Sequence, residues 1–277
     1  MTPEDYCRNL AAPSGSSFHY SVLFLPAGKR SALTCLFAFW REIKEGAEDC
    51  SDPALGQIKL DWWRQELAAA FSGRGQHPVT RALFPVAARF DLPRELLLEL
   101  IDGVESGLFK NRHADFRSLQ DYCGRTSGLA EQLAARILGL NDPSSLQHAQ
   151  ELGIAFGLTH VILNLRSDAK RNRILLPQDQ FVRSGVAEED ILNLRETENL
   201  KKLIEFAIDK AENCYNRATS KFSAAERKAQ RARLALAAIY RSQLGEIRED
   251  GCGILRRRVE LTPVRKLWLA WTTWVGG

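Results

Sequence analysis

Apolar residues recur at helical spacing along most of the chain, and the strict alternation typical of half-buried β-strands is scarce. Between residues 29 and 49 they stand three or four positions apart, at Leu33, Leu36, Phe37, Trp40, Ile43 and Ala47. This spacing is typical of a helix that buries one face. Because the same pattern returns in later segments, the sequence predicts an all-α protein.

The predicted helical segments follow one another without an obvious linker. They cover residues 29–49, a stretch from Pro53 to about Gly73, and residues 91–103, 118–140, 145–168, 188–216 and 223–250, followed by an Arg-rich C-terminal segment. A turn at Asn141-Asp142-Pro143 separates two of them. Since the chain contains no repeat or low-complexity tract, residues 1–277 are predicted to form one domain. A chain of this length can enclose a deep apolar cavity without disulfides.

Charge and cysteine usage restrict the classes of function and the compartment. The net charge of +4 suits an anionic ligand or an acidic membrane face, but it is too small and dispersed to indicate nucleic-acid binding. The six cysteines form no CxxC pair, so free thiols in a reducing cytoplasm are expected. The N-terminus is acidic and polar, unlike a signal peptide, and no run of about 18 apolar residues is present. We therefore expect a soluble cytoplasmic protein, with the inner face of a membrane as a second place of contact.

Five short motifs are spread along the chain in a fixed order. They are Ser14–Phe18 with Phe24–Pro26, Phe37–Glu42, Asp121–Gly128, Leu152–Phe156 with Arg173–Pro177, and Arg256–Arg258 with Thr262–Trp268. In this order they resemble the squalene/phytoene synthase family, nearest to the presqualene diphosphate synthases of hopanoid-making bacteria. The resemblance implies a helical bundle around a central apolar cavity, in which two isoprenoid diphosphates are joined. It also implies Mg²⁺ as cofactor, and NADPH only if squalene is the product.

The family's chemistry needs acidic side chains on two facing helices. Loss of diphosphate leaves an allylic cation, and the leaving group departs readily only when hard cations neutralise it. Mg²⁺ takes oxygen ligands from carboxylates and phosphates. On the first helix, the resemblance places aspartates where this chain has Lys44, Glu45 and Glu48. Glu45, Glu48 and Asp49 form the predicted first metal cluster, with a solvated face of i, i+4 ion pairs as the alternative.

The second helix departs further from the family pattern. Where the family has an Arg-Asp pair and a later Asp, this chain has Leu163, Asn164 and Asp168. Asn164 and Asp168 are the predicted second metal cluster. With His160 they stand at i, i+4 and i+8, close to one helical face. A single carboxylate makes a poor set of Mg²⁺ ligands, so we favour a polar cavity lining.

Several further residues take roles by resemblance. Tyr122 and Arg41 are the catalytic candidates, since they match a tyrosine near the cation and an arginine near the diphosphate; a buried tyrosine with a satisfied hydroxyl is the alternative for Tyr122. A solvent-facing loop is the favoured alternative for the basic group at 170–173. Glu131 stands where the family usually has a glycine, so it either crowds the cavity or places a new carboxylate there. The predicted substrate-binding residues are Ser17, Phe18, Lys170, Arg171, Arg173 and His160.

The residues that match the family pattern are those expected to build the helical scaffold, whereas the residues that differ from it cluster at the expected polar site. We therefore favour a family relative with an eroded metal site, acting as a non-catalytic isoprenoid-binding or assembly-factor-like protein. The alternative is an active, Mg²⁺-dependent head-to-head prenyl transferase that condenses farnesyl or geranylgeranyl diphosphate. A third hypothesis is a peripheral membrane protein that shuttles an isoprenoid.

The predicted partners are an isoprenoid diphosphate or another lipid, together with a membrane surface or a protein. Trp268, Trp271 and Trp274 repeat every three residues beside an Arg-rich segment. This pattern suits an interfacial helix at a membrane surface. A final helix that covers the core is the alternative, and we favour it.

Overall fold

The computed structural model describes residues 1–50, 52–110, 112–251 and 253–276. These residues form seventeen α-helices and one π-helical segment, and no strand is found among them beyond an isolated bridge between His113 and Pro177. The prediction of an all-α fold is confirmed.

The helices of the N-terminal half run to the π-helical segment. They are α1 (Pro3–Ala11), α2 (Ser17–Val22), α3 (Ala27–Glu48), α4 (Pro53–Phe71), α5 (Pro78–Arg89), α6 (Arg94–Leu108) and α7 (Phe116–Cys123), followed by the π segment (Gly124–Gly128). The helices of the C-terminal half are α8 (Leu129–Leu138), α9 (Pro143–Leu163), α10 (Leu165–Lys170), α11 (Gln178–Ser184), α12 (Glu188–Leu192), α13 (Glu198–Ser220), α14 (Ala224–Ala229), α15 (Arg231–Asp250), α16 (Gly253–Arg256) and α17 (Pro263–Gly276). Three of these helices, α9, α13 and α15, are long, and α3 in the N-terminal half is of similar length.

The residues that the sequence places at helix starts cap their helices in the structure. Asp52 caps α4 by accepting from the backbone N–H of Ala54, and Pro53 fills the first helical position. Asp142 and Pro143 do the same for α9, so the predicted turn before that helix is confirmed. An N-cap carboxylate and a proline at the first position both suit the unpaired N–H groups of a helix start.

Three segments that were predicted to be continuous helices are interrupted in the structure. The segment 188–216 is broken between α12 and α13, where Leu194 adopts a positive φ of 55°. The segment 223–250 is interrupted at Gln230, and the segment 145–168 at Asn164. The spacing of apolar residues indicates which face of a helix is buried, but it does not indicate where the backbone bends. The sequence pattern therefore continues across these breaks, and the breaks could not be predicted from it. The pattern also missed α1, α2, α5 and α11.

Two clusters of buried residues make up the core. One surrounds α3 and includes Leu36 and Phe39, and the other surrounds α9 and includes Leu152 and Phe156. Gly153 allows α9 to approach the π segment closely, because a Cβ there would lie 2.5 Å from a backbone oxygen of that segment. The inner faces of α3 and α9 are therefore held on either side of the interior.

The C-terminal helix α17 is amphipathic and packs on α2 and α15. Trp274 contacts Phe24, with ring centres 6.0 Å apart, as the favoured covering role requires. Trp268 and Trp271 instead remain 60% and 46% exposed. Contact of this surface with a membrane or a protein stays a prediction. None of the described helices combines the length and apolar character that a membrane span requires.

The five cysteines within the described residues are all free thiols, as predicted, and four of them are buried. Cys252 lies outside the described residues.

Candidate functional site

A narrow polar cavity lies between α3, α7, the π segment and α9. Its volume is about 20 Å³, which is room for about one water molecule. It is lined by Lys44, Glu48, Tyr122, Cys123, Thr126, Ser127, Gly157, His160, Val161, Asn164, Asp168, Arg173 and Leu175. A larger ligand enters this space only if side chains move.

An ion pair and a tyrosine hydroxyl form the centre of the cavity. Arg173 Nη1 lies 2.9 Å from Glu48 Oε1, and both side chains are largely buried. The Tyr122 hydroxyl donates to the same Glu48 oxygen at 3.2 Å and accepts from Arg173 Nη2 at 3.3 Å. The hydroxyl of Tyr122 is satisfied, as the alternative interpretation of this residue expected. Burial, followed by the charge of Glu48, raises the pKa of Tyr122, so the hydroxyl keeps its proton.

A second cation stands beside this ion pair. Lys44 Nζ lies 5.1 Å from the centre of the Trp40 ring, one helical turn away on α3. Burial alone would raise the pKa of Glu48, but the charges of Lys44 and Arg173 outweigh it and hold this pKa below its ordinary value. Glu48 is therefore a carboxylate that two cations already neutralise.

The three polar residues predicted to share one helical face come together across the end of α9 and the start of α10. His160, Asn164 and Asp168 all line the cavity. Burial raises the pKa of Asp168 to about 6, with Arg173 opposing and Glu48 adding to the shift. Burial, with Lys44 and Arg233, lowers the pKa of His160 to about 3, so the ring is neutral. Its Nε2 lies 2.9 Å from the Tyr240 hydroxyl.

Tyr122 is positioned by residues that sequence reasoning missed. Gly107 on α6 makes room for its ring, because a Cβ at that position would lie 2.7 Å from Tyr122 Cε2. His113 packs against the ring on another side, with ring centres 5.4 Å apart. Burial first, then Arg173 and Lys110, lowers the pKa of His113 to about 4.

His113 should make the fold sensitive to acid. Its pKa is about 4 in the folded chain and about 6.5 when unfolded. Between these values the unfolded chain binds a proton that the folded chain refuses, so stability falls as the pH drops from 6.5 towards 4. His113→Gln should remove about 2 kcal/mol of the stability lost between pH 7 and pH 5, measured by urea unfolding. The control His19→Gln, on α2, should keep the wild-type pH dependence, and an unchanged dependence in His113→Gln would contradict the prediction.

Comparison with known proteins places this chain in a family. The family described as squalene/phytoene synthase matches residues 11–265. The chain belongs to the squalene/phytoene synthase family. It is 29% identical over 266 residues to the phytoene synthase of Mycobacterium tuberculosis, covering 95% of this chain and 87% of that protein. It is 25% identical over 273 residues to the 15-cis-phytoene synthase of Synechococcus elongatus, covering 94% and 89%.

Solved structures of squalene/phytoene synthase-like proteins share the fold. A dehydrosqualene synthase in complex with a ligand has a TM-score of 0.85 at 22% identity, covering 98% of this chain and 95% of that one. A squalene synthase from Alicyclobacillus acidocaldarius has a TM-score of 0.73 at 24% identity, covering 90% and 94%. The fold and family inferred from the motifs are confirmed.

The cavity does not fit the magnesium cluster that the family resemblance implies. Only Glu48 and Asp168 supply carboxylates to its described lining. Glu48 is bound by Arg173, and Lys44 beside it repels a divalent cation. Within the described part of the chain, no three His, Cys, Asp or Glu side chains are grouped to hold a metal ion. Mg²⁺ usually takes one or two carboxylates together with phosphate oxygens and waters. Here one of the two carboxylates is already paired with Arg173 and faces Lys44, so the set holds a divalent cation poorly.

The remaining residues of the predicted metal clusters and the predicted catalytic arginine lie outside the cavity lining. Glu45 pairs with Arg41 at 2.6 Å on the outer side of α3, and Arg41 also donates to the Leu10 carbonyl. Asp49 pairs with Arg171 at 2.7 Å. The Arg41–Glu45 pair matches the alternative of i, i+4 ion pairs on a solvated face, whereas the Asp49–Arg171 pair joins two distant segments of the chain. Metal binding by Glu45 and Asp49 and catalysis by Arg41 stay predictions.

The predicted substrate-binding residues divide between cavity and surface. Arg173 is buried in the cavity, whereas Lys170 and Arg171 are exposed, so the favoured interpretation of the basic loop holds for two of the three. Ser17 opens α2, and the Phe18 ring lies 5.0 Å from that of Phe37 on α3. Their predicted contacts with a substrate are untested.

The main residue that sequence reasoning missed is Arg233. It stands in an alanine-rich stretch of α15, on the helical face that also carries Ala237, Tyr240 and Leu244. It is only 1% exposed. A lone arginine on the apolar face of a helix was the available signal, since such a residue is rarely buried without an acidic partner.

Proposed function

We propose that the chain binds the diphosphate group of its ligand in the central cavity through Lys44 and Arg173, without metal-assisted cleavage of the ligand. The observation that carries the proposal is the buried contact between Arg173 and Glu48, with Lys44 beside it. Cations occupy the region where the resemblance places metal ligands. Arginine and lysine both bind phosphate oxygens, arginine through a planar fork.

Binding requires the ligand to compete with Glu48. A diphosphate offers oxygen acceptors that can replace the Glu48 carboxylate on the guanidinium of Arg173. The hydroxyl of Tyr122, which keeps its proton, is a further donor at the same place. Lys44 is close enough to act on Glu48 and supplies the second positive charge. These groups hold and orient an anion.

The same charges do not favour departure of the diphosphate. Cleavage of the carbon–oxygen bond leaves a highly charged anion, which must be neutralised as the bond breaks. Lys44 and Arg173 already face Glu48, and above pH 6 they also face ionised Asp168. Glu48 and ionised Asp168 offset the two cations that hold the diphosphate, so these cations bind the ligand but add little further stabilisation as the bond breaks. This supports a non-catalytic role.

A second candidate is the joining of two prenyl diphosphates. The named relatives support it, because both are phytoene synthases that align over nearly the whole chain. The comparisons favour this enzymatic function over the non-catalytic one, whereas the charges in the cavity favour binding alone. A direct assay distinguishes the two.

Magnesium should not strengthen ligand binding by this protein. In calorimetric titrations with inorganic diphosphate, we expect millimolar Mg²⁺ to give no tighter binding than EDTA, because Mg²⁺ complexes the free diphosphate and the cationic site does not need the metal. Incubation with farnesyl or geranylgeranyl diphosphate, Mg²⁺ and NADPH should yield no presqualene diphosphate, squalene or phytoene. Turnover that disappears on addition of EDTA would refute the non-catalytic proposal and establish the prenyl transferase.

A further inference from the structure

A second buried ion pair lies deeper in the fold than the cavity. Arg233 of α15 donates from Nε to Glu131 Oε2 of α8 at 2.6 Å, and its Nη2 donates to the other carboxylate oxygen. The side chains are 1% and 3% exposed. Two parallel hydrogen bonds fix the guanidinium in one orientation.

Aromatic rings surround this guanidinium. Its central carbon lies 4.5 Å from the ring centre of Phe37, 5.3 Å from that of Phe156 and 5.7 Å from that of Phe18. The rings come from α3, α9 and α2. In the absence of Arg233, the faces of these rings would bound an apolar space.

The aromatic space lies beyond the polar cavity along α3 and α9. Trp40 and His160 form the layer between them, with ring centres 6.0 Å apart. His160 lines the cavity, and Phe37 lies 6.2 Å from Trp40 on the other side. A hydrocarbon chain attached to a diphosphate at Lys44 and extending between these helices would have to pass the Trp40–His160 layer and would then meet Arg233.

We propose that the Glu131–Arg233 ion pair closes the hydrocarbon end of the cavity and restricts the ligand to a diphosphate with a short prenyl chain or none. This inference rests on the proposed function and names the ligand class of the same site. The pair blocks the space by its volume. It also blocks by polarity, because Arg233 Nη1 is buried without a hydrogen-bond partner among the described residues. An apolar chain cannot satisfy that donor, and moving the guanidinium would leave Glu131 buried and unpaired.

The other apolar space beside the cavity is too small for a prenyl chain. It lies between α9 and α13, is bordered by Val161, Leu203 and Phe206, and measures about 10 Å³. Val161 also borders the polar cavity. This cleft is the alternative route that the experiment has to exclude.

Two paired substitutions separate volume from charge. Glu131→Ala with Arg233→Ala removes the ion pair and opens the aromatic space. Glu131→Leu with Arg233→Met removes the charges but keeps most of the volume. Binding of inorganic diphosphate, dimethylallyl diphosphate and farnesyl diphosphate is measured by calorimetry for both variants and the wild type.

The wild type should bind all three ligands within about threefold of one another. Each methylene that becomes buried would add roughly fourfold in affinity. The alanine pair should therefore bind farnesyl diphosphate at least about tenfold more tightly than the wild type does. Its affinity for inorganic diphosphate should be unchanged. The Leu/Met pair keeps most of the volume but loses the polar block, so its gain in affinity for farnesyl diphosphate should be clearly smaller than that of the alanine pair.

The outcomes distinguish this inference from the proposed function. Wild-type protein that prefers farnesyl over inorganic diphosphate by tenfold or more overturns the closure, and this result needs no variant to fold. The closure is also overturned if the alanine pair folds but binds farnesyl diphosphate no more tightly than the wild type. The cleft at Val161 would then be the route for a prenyl chain. If the wild type binds none of the ligands but the alanine pair binds farnesyl diphosphate, the closure stands and the proposed function fails. If no protein binds any ligand, both are overturned.

Discussion

Replacing Arg233 by alanine is expected to lower the free energy of unfolding by about 3–5 kcal/mol. The substitution leaves the Glu131 carboxylate buried on α8 without its partner. Burial raises the pKa of Glu131 even in the wild type, where Arg233 opposes the shift. Without Arg233 the pKa rises further. The unfolded chain then ionises this group more readily than the folded chain, so the loss of stability should grow as the pH rises.

Urea unfolding followed by circular dichroism at pH 5 and pH 8 measures this effect. Arg241→Ala is the matched control, because Arg241 is on the same helix and pairs with Glu212 at 2.6 Å while 40% exposed. Removing such a surface pair should change stability by about 1 kcal/mol or less. Glu131→Leu with Arg233→Met should also be close to neutral, since a well-packed apolar pair can replace a buried ion pair. An Arg233→Ala loss no larger than that of Arg241→Ala would contradict the prediction.

The sequence predicted the helical faces better than the contacts between them. The spacing of His160, Asn164 and Asp168 correctly placed them together, because residues four apart share a face whatever packs against it. The break at Asn164 did not disturb this, since α10 continues directly from α9. All-α character followed from the same periodicity.

Contacts between distant segments were not accessible in this way. On α3, the alternative of i, i+4 ion pairs would join Lys44 to Glu48, but spacing on one helix could not show that Glu48 contacts Arg173 from the loop after α10. Glu131 drew attention as an unusual residue, but nothing in its neighbourhood identified Arg233 as its partner. Side-chain pairs of this kind depend on how helices pack, and local periodicity holds no information about that.

Lys44→Asp is expected to weaken binding of inorganic diphosphate in EDTA by about 100-fold. The substitution exchanges a cation in the cavity lining for a carboxylate, so attraction of the anion becomes repulsion. It also places an acidic group one helical turn from Glu48, with Asp168 lining the same cavity. Three carboxylates would suit a hard cation. We therefore expect millimolar Mg²⁺ to restore much of the lost affinity, unlike in the wild type.

Calorimetry with inorganic diphosphate, in EDTA and in Mg²⁺, provides the measurement. Lys59→Asp is the matched control, because Lys59 is an exposed lysine of α4 outside the cavity lining and the same charge change there should leave both affinities near the wild-type values. Equal losses in the two variants would mean that only net charge matters, and Lys44 would not be part of the binding site. If Lys44→Asp bound diphosphate in EDTA as tightly as the wild type, the proposed cationic binding site would be wrong. A carboxylate at position 44 cannot hold a diphosphate oxygen without a metal ion. The magnesium response of this one variant therefore tests whether Lys44 has replaced a metal ligand.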